Sequence, residues 1–173
     1  LGYLKAENAY TEAVTRELKP FSEALYKEIL GRIKQTDLSV PVFDCGYFYY
    51  SRTEEGKQYS IHCRKKGSLD AQEEVLLDLN EMGKGLKFIS LGDLDISLNN
   101  QILAYTTDAT GFRQYTLHVK DLRDGRILAD TAERVTSVTW AADDKTLFYV
   151  TEDAVTKRSN QVWRLELGGK PEL

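Results

Sequence analysis

The spacing of apolar residues changes once along the chain, near Thr36. Before it, Tyr10, Val14, Leu18, Phe21, Leu25 and Ile29 recur every three or four positions, which is the period of one helical face. Pro20 falls inside this stripe. Proline is tolerated in the first turn of a helix but not in its interior, so the spacing predicts two helices, Gly2–Leu18 and Phe21–Ile33. Lys5, Glu7, Glu12, Arg16, Glu23 and Lys27 fill the opposite faces. Such a stripe calls for a partner surface.

After Thr36 the pattern is that of short strands rich in Tyr, Val, Ile, Leu and Phe, with turn signals between them. Three copies of one hairpin can be read. "YFYYSR" (Tyr47–Arg52) leads through "EEGKQ" to "YSIHCRKKG" (Tyr59–Gly67). "ILAYTTD" (Ile102–Asp108) leads through "ATGFRQ" to "YTLHVKDLRDG" (Tyr115–Gly125). "TLFYVTED" (Thr146–Asp153) leads through "AVTKRSN" to "QVWRLELGG" (Gln161–Gly169). "DISLNNQILAY" (Asp95–Tyr105) aligns without a gap on "TWAADDKTLFY" (Thr139–Tyr149), which puts Asn99-Asn100 and Asp143-Asp144 in one turn. Apolar runs at Val75–Leu79 and Ile127–Leu128 follow the first two copies.

The unit is therefore strand, turn, strand, loop, strand, glycine turn, strand. Tyr50, Tyr105 and Tyr149 mark it at spacings of roughly 45–55 residues, the signature of a four-stranded β-propeller blade. A β-sandwich also needs many short strands, but not this inner repeat. The expected architecture is mainly β with an N-terminal helical arm over 1–36. A partial β-propeller follows over 37–173, with blades at 38–79, 88–128 and 135–167. Propellers usually close with four to eight blades. Three leave the ring open, and the third copy lacks its outer strand. At least one unpaired blade face is expected, and with it self-association of the chain.

Composition narrows the function. The chain carries 27 Asp and Glu against 23 Lys and Arg, for a net charge of −4. This is the wrong sign for general nucleic-acid binding. The run Arg64-Lys65-Lys66 reads as a solvated strand end before the turn at Gly67. No apolar run reaches membrane-spanning length. The two cysteines, Cys45 and Cys63, form no Cys-x-x-Cys pair and suggest a reduced, cytoplasmic chain. The chain opens at Leu1, inside a helical pattern and without Met, as a processed or excised piece would.

Catalytic motifs are scarce. The sequence has no Gly-x-Ser-x-Gly elbow and no phosphate-binding glycine loop, and Gly83 and Gly85 fall between blades. His62 and His118 occupy the same register of two copies, on the polar face, as surface strand residues would. Glu54-Glu55, Glu73-Glu74 and Asp143-Asp144 fall in turns or loops, and Trp140 and Trp163 in strand patterns. No catalytic, cofactor or metal residue is expected here. Arg113 stands apart, at the loop-to-strand corner "GFRQY" between Phe112 and Tyr115. It is either part of a capped loop or a surface ion pair, or else a contact to a substrate end or another domain.

Five stretches carry a resemblance. They are "YLKAENAY" (Tyr3–Tyr10), "ILGRIKQTDLSVPV" (Ile29–Val42), "YYSRTEEGKQY" (Tyr49–Tyr59), "RQYTLHVKDL" (Arg113–Leu122) and "VTWAADDKTLFYV" (Val138–Val150). In this order they resemble the N-terminal part of the oligopeptidase B (protease II) branch of the prolyl oligopeptidase family of serine peptidases. The resemblance implies a helical arm that packs on an α/β-hydrolase domain and a seven-bladed propeller that caps the active site. It implies cleavage of short peptides after Arg or Lys, with the Ser-Asp-His triad downstream of Leu173. Arg113 then becomes a candidate salt bridge to the hydrolase domain. The rival expectation is a stand-alone binding module that pairs its open blades with another copy.

Overall fold

The computed structural model describes residues 1–173. The chain divides into two units, Leu1–Asp37 and Leu38–Leu173. The first unit holds helix α1 (Gly2–Val14), one 3₁₀ turn (Arg16–Leu18) and helix α2 (Lys19–Arg32). Thr15 closes α1, since its N–H and its hydroxyl both donate to the Thr11 carbonyl. Pro20 sits in the first turn of α2, where the missing N–H has no helical partner to lose. The stripe from Tyr10 to Ile29 is exposed along its whole length, with Phe21 at 68%.

The second unit is three antiparallel sheets, and each is one blade. Blade 1 has strands β1 (Val42–Asp44), β2 (Tyr47–Arg52), β3 (Ile61–Lys66) and β4 (Glu73–Asp78) in that order. A short helix α3 (Leu79–Met82) follows; the Asp78 carboxylate caps it by accepting from the Asn80 and Glu81 N–H groups. Blade 2 has β5 (Ser90–Ile96), β6 (Ile102–Asp108), β7 (Thr116–Asp121) and β8 (Ile127–Glu133). Its last strand runs past Leu128, where the apolar run ends. Beyond that point β8 alternates exposed and half-buried residues, so hydrophobicity alone does not mark it. Blade 3 has β9 (Val135–Trp140), β10 (Thr146–Glu152) and β11 (Ser159–Glu166). A single further bridge joins Arg164 to Glu172, each N–H donating to the other's carbonyl at 2.7 and 2.8 Å. It occupies the place of a fourth strand.

The blades pack face to face. Between blades 1 and 2, Leu76, Leu77, Leu103 and Tyr105 are buried, with Tyr49, Leu91, Leu94 and Ile96 against them. Between blades 2 and 3, Ile102, Ala104, Leu117 and Val119 meet Val135, Val138, Leu147, Tyr149 and Leu165. Blade 2 is thus covered on both faces, and nearly all of β6 is buried. The second face of blade 1 presents Tyr50, Arg52, Glu73 and Val75. That of blade 3 presents Phe148, Val150, Val162 and Arg164, and no sheet of the chain lies against either.

One expectation needs correction. The repeat places His62 and His118 in one register, but the ladders do not. Tyr50 pairs with Cys63, whereas its counterpart Tyr105 pairs with His118. His62 pairs with Ser51, and the matching position of blade 2 is Leu117, opposite Thr106. The two histidines therefore point to opposite faces of their blades. Neither is a free surface residue, for both are half-buried.

Candidate functional site

Each blade has two ends, and the strand order fixes what each end displays. The β1–β2, β5–β6 and β9–β10 turns lie at one end. Each holds a non-glycine residue at positive φ: Cys45 at 43°, Asn100 at 62° and Asp144 at 58°. Asn and Asp enter this left-handed region most readily among such residues. These turns link the blades. The Tyr49 hydroxyl donates to Asn100 Oδ1 at 2.6 Å, Asn100 Nδ2 donates to the Cys45 carbonyl at 2.8 Å, and the Asn99 N–H donates to Asp144 Oδ1 at 2.9 Å. The aligned turns read from the sequence are thus in contact across neighbouring blades.

The inner strands are also joined by side chains. Asp93 Oδ2 accepts from the Val138 N–H at 3.0 Å, and Asp95 Oδ2 from the Trp140 N–H at 2.8 Å. The Trp140 indole donates to the Asp95 carbonyl at 3.1 Å. Trp140 and Trp163 serve as blade packing, and Trp163 stacks on Tyr149 with centroids 6.3 Å apart.

The opposite end carries the longer loops, and Arg113 is on one of them. The buried Asp108 carboxylate organises this loop. Its Oδ1 accepts from the Thr110 N–H and hydroxyl at 2.7 and 2.6 Å, and its Oδ2 from the Arg113 N–H at 2.7 Å. Burial pushes the Asp108 carboxyl up, but the hydrogen bonds from Thr110, Arg113 and Gly111 outweigh it and hold the group below its ordinary value. Arg113 itself stands at φ 58°. Its backbone is the capped part, while its side chain is exposed and enters no ion pair with this chain. Phe112 beside it is 79% exposed.

The equivalent loop of blade 3 repeats this construction. Asp153 Oδ1 accepts from the Val155 and Thr156 N–H groups and the Thr156 hydroxyl, and Lys157 stands at φ 58°. Sequence reading singled out Arg113 alone. The Asp-x-Thr and Asp-x-x-Thr steps that build both loops were present as signals and went unused. In the blade 1 loop the positive-φ residue is Gly56; the neighbouring Lys57 pairs with Glu54 at 2.7 Å, and Lys157 of blade 3 lies 3.8 Å from Glu152.

No group of three or more His, Cys, Asp or Glu side chains converges as a metal site requires. Burial pushes the Cys63 thiol up to about 11, and a hydrogen bond with Asp44 raises that of exposed Cys45, so neither is an activated nucleophile.

A family model described as the prolyl oligopeptidase N-terminal β-propeller domain matches residues 2–172. The chain belongs to the prolyl oligopeptidase family. It is 42% identical over 184 residues to dipeptidyl aminopeptidase BI of Pseudoxanthomonas mexicana, covering 97% of this chain and 25% of that protein. It is 34% identical over 178 residues to Protease 2 of Moraxella lacunata, covering 98% and 26%. Oligopeptidase B from Leishmania major matches 97% of this chain with 24% of its own, at a TM-score of 0.85 and 29% identity. Oligopeptidase B from Trypanosoma brucei, in a closed form with covalently bound antipain, matches 98% with 24%, at a TM-score of 0.84 and 31% identity. The chain thus spans about a quarter of the length of the relatives it matches. The three sheets are blades of a prolyl oligopeptidase-family propeller.

Proposed function

We propose that this chain is the arm and lid portion of an oligopeptidase B-like serine peptidase that cleaves short peptides after Arg or Lys. The observation that carries the reading is the fit of nearly the whole chain to about a quarter of two oligopeptidases B, together with its match to the N-terminal β-propeller domain of the family. The nucleophile then comes from an α/β-hydrolase domain of the same parent protein. The blades restrict access to thin, unfolded peptides, so selectivity by size and bond cleavage reside in different domains. The exposed stripe of α1 and α2 docks on the hydrolase domain. The exposed Arg113 contacts that domain or a substrate end, and such a contact biases an open–closed equilibrium. The free thiols of Cys45 and Cys63 suit a reducing, cytoplasmic setting.

The test compares this chain with the full-length peptidase on short Arg- and Lys-containing peptides. The full-length protein is expected to turn them over and to lose activity to a serine-reactive reagent, and this chain to show no turnover. Arg113→Ala in the full-length protein is expected to change turnover and its salt dependence. Turnover by this chain alone, blocked by the same reagent, would overturn the division of labour. An unchanged Arg113→Ala profile would remove Arg113 from it.

A second reading is favoured by the 42% identity to a dipeptidyl aminopeptidase, namely release of dipeptides from a free amino terminus. Substrates that differ only in a blocked or free amino terminus separate the two. Loss of turnover on blocking supports dipeptide release.

A further inference from the structure

His62 and His118 are the only histidines of the chain, and both face the same seam. His62 pairs with Leu77 across β3 and β4, and Leu77 packs on Leu103 and Tyr105 of blade 2. His118 pairs with Tyr105, stacks on its ring with centroids 5.2 Å apart, and shares a 3.0 Å hydrogen bond with Thr107 through Nε2. Two residues further on the same face, Lys120 reaches across the seam and donates from Nζ to the Leu76 carbonyl of blade 1 at 2.8 Å.

The charged groups of the seam that are buried or half-buried, Arg64 and Lys120, are cations. From blade 1, Arg64 lies on the His62 face and is 4% exposed; it donates to the Asn100 carbonyl of blade 2 and pairs with the exposed Glu74. Tyr47, Tyr49 and the exposed Asp44 and Lys66 share that face. From blade 2, the titratable groups on the His118 face are Tyr105, Lys120 and, opposite Thr116, the exposed Glu133. Glu81 on the connecting α3 is turned to Lys84. Of the carboxylates on the His62 face, Arg64 already holds Glu74, and Asp44 stands at the far end of the ladder, opposite Tyr47, whereas His62 pairs with Ser51.

Packing in the seam is also incomplete. A cavity of about 230 Å³ is lined by Tyr49, His62, Leu76, Leu77, Leu94 and Leu103. A second, of about 170 Å³, opens at the turn end beside Asp95 and Asn100. The other seam contrasts with this, because Asp93 and Asp95 carboxylates and a continuous apolar cluster join blade 2 to blade 3. At the position of His62, blade 2 itself carries the fully buried Leu117.

We propose that the seam between blades 1 and 2 is an acid-sensitive joint of the propeller wall, which parts when His62 and His118 take up protons while the seam between blades 2 and 3 holds. Burial pushes both imidazoles and the Lys120 amine below their ordinary values. The closed seam thus binds fewer protons than the open one, and its stability rises with pH. The sign is fixed by this: closure is unaffected by the histidines above their ordinary value near 6.5 and weakens as pH falls below it. Two further charges would then sit with Arg64 and Lys120 at a face where Glu74 is taken and Asp44 stands at the far end of the ladder.

The test places a reporter thiol in each seam of the full-length protein, with Cys45→Ser as background. Leu103→Cys lies in the first seam and Leu147→Cys in the second; both positions are fully buried. Labelling by 4,4′-dithiodipyridine, which reports thiols in mild acid, is followed at pH 7.5 and 5.5. The Leu103→Cys thiol is expected to label roughly tenfold faster at the lower pH relative to Leu147→Cys. Adding His62→Leu and His118→Gln, which keep the packing and the Thr107 contact, is expected to abolish the difference. Equal pH responses of the two reporters overturn the proposal, as does an acceleration that survives both histidine substitutions. Histidine ring-proton titration of the unsubstituted protein gives an independent check. Midpoints at or above 6.5 for both rings sink the idea even where a variant fails to fold.

Discussion

Gly92 shows how tightly a single position is held. It lies at the register shift of β5 between Leu91 and Leu94. A Cβ there would stand 2.6 Å from Thr106 Oγ1 and 2.7 Å from Tyr115 Cδ1. Thr106 is 1% exposed, and its hydroxyl accepts from the Asp93 N–H. The bulge therefore aims Asp93 at blade 3, and glycine lets the backbone come close enough to do it. Gly92→Ala is expected to cost about 1–3 kcal/mol, as overpacking of a buried site does. For a protein of this size that lowers Tm by roughly 2–4 °C per kcal/mol. Gly31→Ala is the control, since a Cβ at that helical position meets nothing within 4 Å. It should leave Tm unchanged or slightly raised. A Gly92→Ala protein that melts with the parent would show that Thr106 and Tyr115 yield freely.

Elements were legible wherever spacing alone defines them. The stripe and Pro20 gave both helices of the arm, and the aligned hairpins gave three blades with their shared turns. The histidine register was legible only by counting. Both copies read as a histidine between apolar residues, but His62 follows Tyr50 by 12 positions and His118 follows Tyr105 by 13, which turns them to opposite faces of their blades. The loops were seen as connectors, while their order comes from the buried Asp108 and the turn-forming Asp153, a tertiary fact for the first. The inner-strand joint was also hidden, because Asp93 and Asp95 look like ordinary strand-edge acids. They act as backbone acceptors for the neighbouring blade. Removing both as Asp93→Ala/Asp95→Ala leaves two partly buried N–H groups unpaired, at about 1–3 kcal/mol each. Asn at both positions keeps an acceptor and should recover much of that loss. Urea unfolding followed through Trp140 fluorescence measures the difference. If the Ala and Asn variants unfold at the same midpoint, the carboxylates do not join the blades.

On the scale of the whole molecule, what stays uncovered matters as much as what is packed. Blade 2 is sandwiched, whereas blades 1 and 3 each keep one face open to solvent, with Val75 and Val162 about half or more exposed. The arm adds Tyr3, Tyr10, Phe21, Tyr26 and Ile29, all more than half exposed. An apolar surface this extensive is unusual for a free-standing soluble protein and marks an interface. Strand edges left without partners act in the same direction. The two open faces also differ in chemistry. That of blade 1 carries a network in which Arg52 pairs with Glu54 and Glu73 while Tyr50 donates to Glu73. That of blade 3 mixes Phe148, Val150 and Val162 with Ser137, Thr139, Glu166 and an exposed Arg164–Glu172 pair. A face with its charges already satisfied can be buried at lower cost than one with free charges, which suits the blade 1 face for covering. This chain by itself is therefore expected to associate, with a mass by light scattering that rises with concentration and falls when Tyr10, Phe21 and Ile29 are replaced by Ser. Under the proposed function a hydrolase domain covers the arm and further blades cover the open faces of the full-length peptidase, which should then not show that rise. A chain that stays monomeric at roughly 100 μM, far above the range of stable protein pairs, would mean that these surfaces are adequately solvated and that the arm's stripe needs no partner.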